Sequence, residues 1–270
     1  MPEGKLTPAG SVAAFGDLVE RLPPEARVLD CACGTGQLAV GLAALGLDVT
    51  ATDASAAMVH RTQQLAEQHG VSLRTLRVSW DELSDCLDGT PPFDVVFCVG
   101  NSLAHAEGAS ARFDALSAMS RLLSREGRLV LTSRTWELVR ARGSRLDVGH
   151  RLVRRQGRDA VVVYNWQIEQ RWEEEHHLEI AVAQVASDGS VRTCSERLSC
   201  WPFRQEELVS QLQAVGLGVE SNTFDPDAEN YTVVAVKGEV PEADQKIGTR
   251  ACCASAGHSH SLTVATGTVA

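Results

Sequence analysis

The segment Asp30-Cys31-Ala32-Cys33-Gly34-Thr35-Gly36 sets a carboxylate just ahead of two closely spaced glycines. Glycine has no Cβ and tolerates unusual dihedrals, so a turn of this kind lets backbone N–H groups approach a nucleotide ligand closely. Gly34-Thr35-Gly36-Gln37-Leu38-Ala39 also fits the relaxed dinucleotide fingerprint, and Asp53, about 20 residues on, stands where a carboxylate can bind ribose hydroxyls. Two ligands therefore compete for the turn. NAD brings a pyrophosphate anion, whereas S-adenosylmethionine brings a sulfonium and an ammonium. Asp30 suits the cationic ligand, because a carboxylate repels a phosphate and attracts an ammonium.

The turn needs a strand before it and a helix after it, and the surrounding sequence supplies both. RVLDCA (27–32) reads as a short apolar strand, and QLAVGLAALG (37–46) as a helix ending on a glycine. DVTATD (48–53) is a second strand, followed by a helix from Ser55 to about His69. VSLRTLRV (71–78), FDVVFCV (93–99) and GRLVLTS (127–133) supply three more strands, with a helix over 111–123. Alternation of this kind yields a doubly wound, Rossmann-like α/β sheet.

Between residues 146 and 201 the period changes to two, in AVVVYNWQIEQRW, HHLEIAVAQVA and SVRTCSERLSCW. This is the pattern of an inserted antiparallel β subdomain, with turns at Glu173-Glu174-Glu175 and Asp188-Gly189. A helix at 205–215 and strands at 217–224 and 230–237 then return the chain to the main sheet, giving seven strands with the last one antiparallel. The expected divisions are a cofactor-binding core over 1–145, an inserted lid or oligomerisation subdomain over 146–201, the rest of the core over 202–238, and a mobile tail over 239–270.

Composition narrows the partners. Thirty-five acidic residues against 25 basic ones, a formal charge of −10, argue against a nucleic-acid footprint and for a small-molecule acceptor. The N-terminus has neither a basic nor an apolar signal region, and no apolar run reaches the ~20 residues that span a bilayer, so a cytoplasmic protein without a membrane segment is expected. Free thiols rather than disulfides are then expected of the eight cysteines.

DCACGTG, the ATDAS tip of the second strand, Ser79-Trp80-Asp81 and the GNSLAH block together resemble class I S-adenosylmethionine-dependent methyltransferases, particularly the glycine N-methyltransferase-like group, over about 26–237. The resemblance implies that Ala32, Gly34 and Gly36 line the methionine part of S-adenosylmethionine and that Asp53 holds its ribose. Trp80 and Asp81 would lie against adenine, while Val99 and Gly100 flank the sulfonium. Asp30, Ala54, Met58 and Ser79 complete the cofactor set. It further implies that Asn101 touches the acceptor, that Arg134 binds an acceptor carboxylate, and that His105 belongs to the same block. A guanidinium fork pairs bidentately with a carboxylate.

Methyl transfer from a sulfonium is an in-line displacement that chiefly needs alignment and desolvation, so no metal is expected for the core reaction. Members of that group carry a tyrosine ahead of the first strand that closes over the site. Here the only tyrosines are Tyr164 and Tyr231, which points away from glycine itself and toward another amine-bearing small acid. Trp136, Tyr164, Trp166, Trp172 and Trp201 either wall the acceptor site or pack in the core. Cys252, Cys253, His258 and His260 form a C-C-x4-H-x-H cluster of ligands that soft metals prefer. This leaves two alternatives open: methylation of a thiol-bound metalloid such as arsenite, and a non-catalytic S-adenosylmethionine or metal sensor.

Overall fold

The computed structural model describes residues 7–149, 153–155, 158–186 and 188–237. The expected tail and its Cys252, Cys253, His258 and His260 cluster lie outside them. Two short helices, α1 (Pro8–Ala13) and α2 (Gly16–Val19), precede the first strand. Then β1 (Arg27–Cys31), α3 (Gln37–Ala44), β2 (Asp48–Asp53), α4 (Ala56–His69), β3 (Arg74–Arg77), α5 (Leu83–Cys86), β4 (Phe93–Cys98), α6 (Gly108–Leu122) and β5 (Leu123–Arg134) alternate. Helix α7 (Trp136–Arg142) leads to a second sheet of β6 (Arg145–Val148), β7 (Val153–Arg155), β8 (Arg158–Gln167), β9 (His176–Val185) and β10 (Val191–Cys200). Helix α8 (Gln205–Ala214), β11 (Leu217–Asn222) and β12 (Asn230–Lys237) close the described chain.

The main sheet has seven strands in the order β11-β12-β5-β4-β1-β2-β3. Strands β1 to β5 pair in parallel, and β12 runs antiparallel to both β5 and β11. Val28–Cys31 are buried on both sides of the sheet, which is why this strand does not alternate; Asp30 is its one charged member. One face packs Leu29, Val96, Leu129 and Val233 under α6 and α8; the other packs Val28, Val95, Phe97 and Val130 under α3. Gly41 lets α1 approach α3 so closely that a Cβ there would meet the Pro8 carbonyl oxygen. No helix among the described residues is long and apolar enough to cross a membrane.

Three elements start three or more residues away from the sequence expectation. Strand β3 begins at Arg74 rather than residue 71, because Gly70 adopts φ 64° and Val71 donates to the Ala66 carbonyl, wrapping the chain around the end of α4. Strand β5 begins at Leu123, with a register shift against β4 between Phe93 and Val95. Helix α6 starts at Gly108 rather than 111. The second sheet, order β10-β9-β8-β6 with β7 on β8, is antiparallel throughout. Its Asp188-Gly189 turn is closed by Ala186 N–H to the Ser190 carbonyl at 2.8 Å.

Candidate functional site

In the main sheet, order reverses between β1 and β4: the chain winds toward β3 on one side and toward β5 on the other. Ligands of open α/β sheets bind at the carboxyl ends of the strands beside such a reversal. Most sequence-expected site residues within the described range lie at or just past those ends, with Met58 in the first turn of α4 and His105 at the end of the 3-10 turn that follows β4. Ser79, Trp80 and Asp81 follow β3, Asp53 ends β2, Asp30–Gly36 end and follow β1, Val99–Asn101 follow β4, and Arg134 ends β5. Four strand spacings, about 19 Å, separate the outer members.

Asp30 is the most strongly perturbed carboxyl of the site. It is 1% exposed, and neither of its oxygens has a partner in hydrogen-bond geometry. Burial pushes its carboxyl up to about 7, opposed by the Ala39 backbone N–H and reinforced by the Asp53 charge. Beyond it the turn is built from left-handed residues: Ala32 at φ 64°, Gly34 at 56° and Gly36 at 78°. A left-handed alanine is strained, and such strain concentrates at ligand sites. A Cβ on Gly36 would also press into Thr62, at 2.5 Å from its methyl carbon.

Asp53 has a structural task that its position in the sequence did not reveal. Its Oδ2 accepts from Gly34 N–H at 2.9 Å and its Oδ1 from Ser55 N–H at 2.8 Å, so it ties the β1 turn to the start of α4. A carboxylate has about four acceptor positions, so two remain for hydroxyl groups. Thr62 Oγ1 donates to the Gly34 carbonyl from below. Ala54 is exposed, and its carbonyl accepts from Arg77; Met58 is partly buried, its N–H reaching the Ser55 hydroxyl at 3.4 Å.

Trp80 donates from Nε1 to Cys31 Sγ at 3.1 Å and packs partly against the core. Ser79 is engaged with Glu82 at 2.7 Å, and Asp81 is exposed, its carboxyl held low first by the Ser79 hydroxyl. Burial pushes the Cys31 thiol up to about 12 and Cys33 higher still, which makes both protonated packing groups rather than nucleophiles.

The loops after β4 and β5 are met by the second sheet. Gly100 N–H donates to Thr132 Oγ1 at 2.7 Å, and Asn101 takes φ 69° to start a short 3-10 turn over Ser102–His105. Its side-chain oxygen is buried and unpartnered. His105 is exposed, with Nδ1 2.7 Å from the Ser199 carbonyl, and Trp201 N–H donates to the Ala104 carbonyl. The histidine thus fastens its block to the end of β10.

Arg134 is partly buried, with its guanidinium carbon 5.2 Å from the centre of the Trp166 ring. It makes no ion pair with any described residue. Burial pulls its pKa down, countered by Cys200, Glu229 and Tyr164 and reinforced by the neighbouring Arg145. Arg145 stacks on the same ring at 5.0 Å but is neutralised by Asp147 at 2.8 Å. Tyr164 was among the expected aromatics, whereas Cys200 and Arg145 were not expected beside Arg134; the pairing of β6, β8, β9 and β10 brings all three there. Of the expected aromatic wall, Trp136 is 2% exposed and belongs to the core, while Arg140 and Arg204 both stack on Trp172 at 4.5 Å. Among the described residues no group of three or more His, Cys, Asp or Glu side chains could hold a metal ion.

Residues 28–127 match the family model described as "Methyltransferase domain". The chain carries a methyltransferase domain, and its architecture is that of S-adenosylmethionine-dependent methyltransferases. It is similar to the glycine/sarcosine N-methyltransferases of Halorhodospira halochloris, 34% identical over 111 residues covering 41% of each chain, and of Parasynechococcus marenigrum, 35% identical over 139 residues covering 50% of this chain and 49% of that protein. The matched segments thus span less than half the length of those relatives. Among solved structures, an S-adenosylmethionine-dependent methyltransferase from Clostridium acetobutylicum superposes with a TM-score of 0.70 at 16% identity, covering 85% of this chain and 91% of that one.

Proposed function

We propose that this protein methylates the amine of a small, carboxylate-bearing, amino-acid-like acceptor, with S-adenosylmethionine as co-substrate. The residues present fit that co-substrate better than NAD. A buried carboxylate with no cationic partner among the described residues, Asp30, suits an ammonium and opposes a pyrophosphate. Asp30 and the backbone of Ala32–Gly36 would hold the methionine part, Asp53 the ribose, and Trp80 and Asp81 the adenine. Bound there, S-adenosylmethionine supplies an electrophilic methyl group.

The observation that carries the acceptor reading is Arg134. A partly buried guanidinium with no ion-pair partner among the described residues, fixed on an indole face, is a preorganised receptor for one carboxylate. Arg145 adds little net attraction, because Asp147 already offsets it. Asn101, with an unpartnered carbonyl oxygen, can accept from the N–H groups of the acceptor amine and orient its lone pair. The amine itself is suggested by the partial relatives, which are named as glycine/sarcosine N-methyltransferases.

The test is a screen of amine acceptors read out by release of S-adenosylhomocysteine, followed by Arg134→Ala. That substitution is expected to lower kcat/KM for carboxylate-bearing acceptors by about 10- to 100-fold, the range for a lost charged hydrogen-bonding partner, and to leave S-adenosylmethionine affinity unchanged. Equal losses for acceptor and cofactor would remove Arg134 from this role. Binding of NAD in place of S-adenosylmethionine would overturn the reading as a whole.

A further inference from the structure

Among the described residues strand β10 is an edge strand of the second sheet, paired on one side only, with β9. It runs for ten residues without proline, and Val191–Arg197 are all exposed. A long open edge is a template for another strand, and monomeric proteins usually blunt it with prolines, bulges or charges. The charges on this edge, Arg192, Glu196 and Arg197, match one another when the strand meets itself.

In a regular antiparallel pair, residues facing each other are either both hydrogen-bonded or both not. Two copies of one strand related by a twofold axis must therefore place a residue on the axis. With Arg192 or Arg197 on it, arginine faces arginine; with Glu196, glutamate faces glutamate. Thr193 or Ser195 on the axis leaves every charge facing a neutral residue. Cys194 on the axis sets Arg192 opposite Glu196 of the second copy and Glu196 opposite Arg192, with Thr193 facing Ser195. In that register Val191, 62% exposed, faces Arg197, whose methylene stem can cover it.

We infer that two copies of this chain associate through antiparallel pairing of β10 with itself, centred on Cys194 and held in register by two Arg192–Glu196 pairs. Such an interface is isologous and closes at two subunits. The inference stands on strand geometry and charge order and does not depend on the methyl-transfer reading.

Sedimentation of the full chain across about 1–100 µM, the range in which edge-strand dimers of modest affinity dissociate, tests it directly. The wild type should be dimeric. Arg192→Glu and Glu196→Arg should each weaken the dimer about tenfold or more, since each reversal turns both cross-strand pairs repulsive. Combining them should restore it, and circular dichroism of each variant should match the wild type. Mild oxidation of the wild type should yield a disulfide between two Cys194 peptides, identified by mass spectrometry, which needs no variant to fold. A monomer at the highest concentration, a dimer indifferent to both reversals, or a double variant that fails to recover would each overturn the proposal.

Discussion

Asp30 opposes stability through its burial, and under the proposed function it serves binding as well. Because its native pKa lies near 7 and its ordinary value is 3.8, the folded chain holds a proton there that the unfolded chain releases as pH rises from about 4 to 7. The unliganded protein therefore loses stability over that interval, and Asp30→Asn should remove the loss. The variant is expected to melt several degrees higher than wild type at pH 7.5 without ligand, yet to bind S-adenosylmethionine about tenfold more weakly. In wild type the same affinity should rise with pH up to about 7 and then level off, because only the ionised carboxyl attracts the ammonium. Calorimetry between pH 5.5 and 8.5 measures this; a flat profile would show that Asp30 does not face the cation. At this scale the sequence was informative about which residues cluster and silent about their bonds. Asp53 was legible as an acid at a strand tip, whereas its double grip on Gly34 and Ser55 depends on a turn geometry that no spacing encodes.

The turn after β1 illustrates how elements and not single residues make the site. Gly34 and Gly36 are both left-handed, but a Cβ on Gly34 meets nothing within 4 Å while one on Gly36 runs into Thr62 of α4. Gly34→Ala should cost only the left-handed penalty, about 1–2 kcal/mol. Gly36→Ala should cost clearly more, because α4 must move away from the turn as well. Urea unfolding of both variants decides it, and equal losses would mean that α3 and α4 are not braced through this contact. Most strands of the core were readable, since buried parallel strands carry short apolar runs such as Val95–Cys98. Helix α7 was not expected, although its Arg140 reaches the carbonyls of Glu169, Gln170 and Arg171 at 3.1, 2.6 and 3.3 Å. The period-two stretch announced a second sheet, but nothing in its pattern said which residues it would set against the first.

For the whole molecule, that junction decides whether the second sheet behaves as an appendage or as part of one cooperative unit. Trp166, Leu178 and Cys200 on its inner face share a continuous core with Trp136, Phe203 and Tyr231 of the main body. Polar ties cross the same boundary, from Trp201 N–H to the Ala104 carbonyl and from His105 to Ser199. Trp166 is central to both functions of the junction, being 6% exposed and stacked under Arg134 and Arg145. Trp166→Ala should destabilise the protein by about 3–5 kcal/mol through the lost burial and the cavity left behind. Trp166→Phe keeps an apolar plate and should cost less, yet it weakens the cation–π support of Arg134 and should raise KM for a carboxylate acceptor more than it lowers kcat. If the two sheets form one unit, far-UV circular dichroism and tryptophan fluorescence will report a single coincident denaturant transition for wild type and both variants. An early transition confined to the β-rich signal would instead mean that the second sheet unfolds alone, and that Arg134 holds its acceptor against a wall that comes and goes.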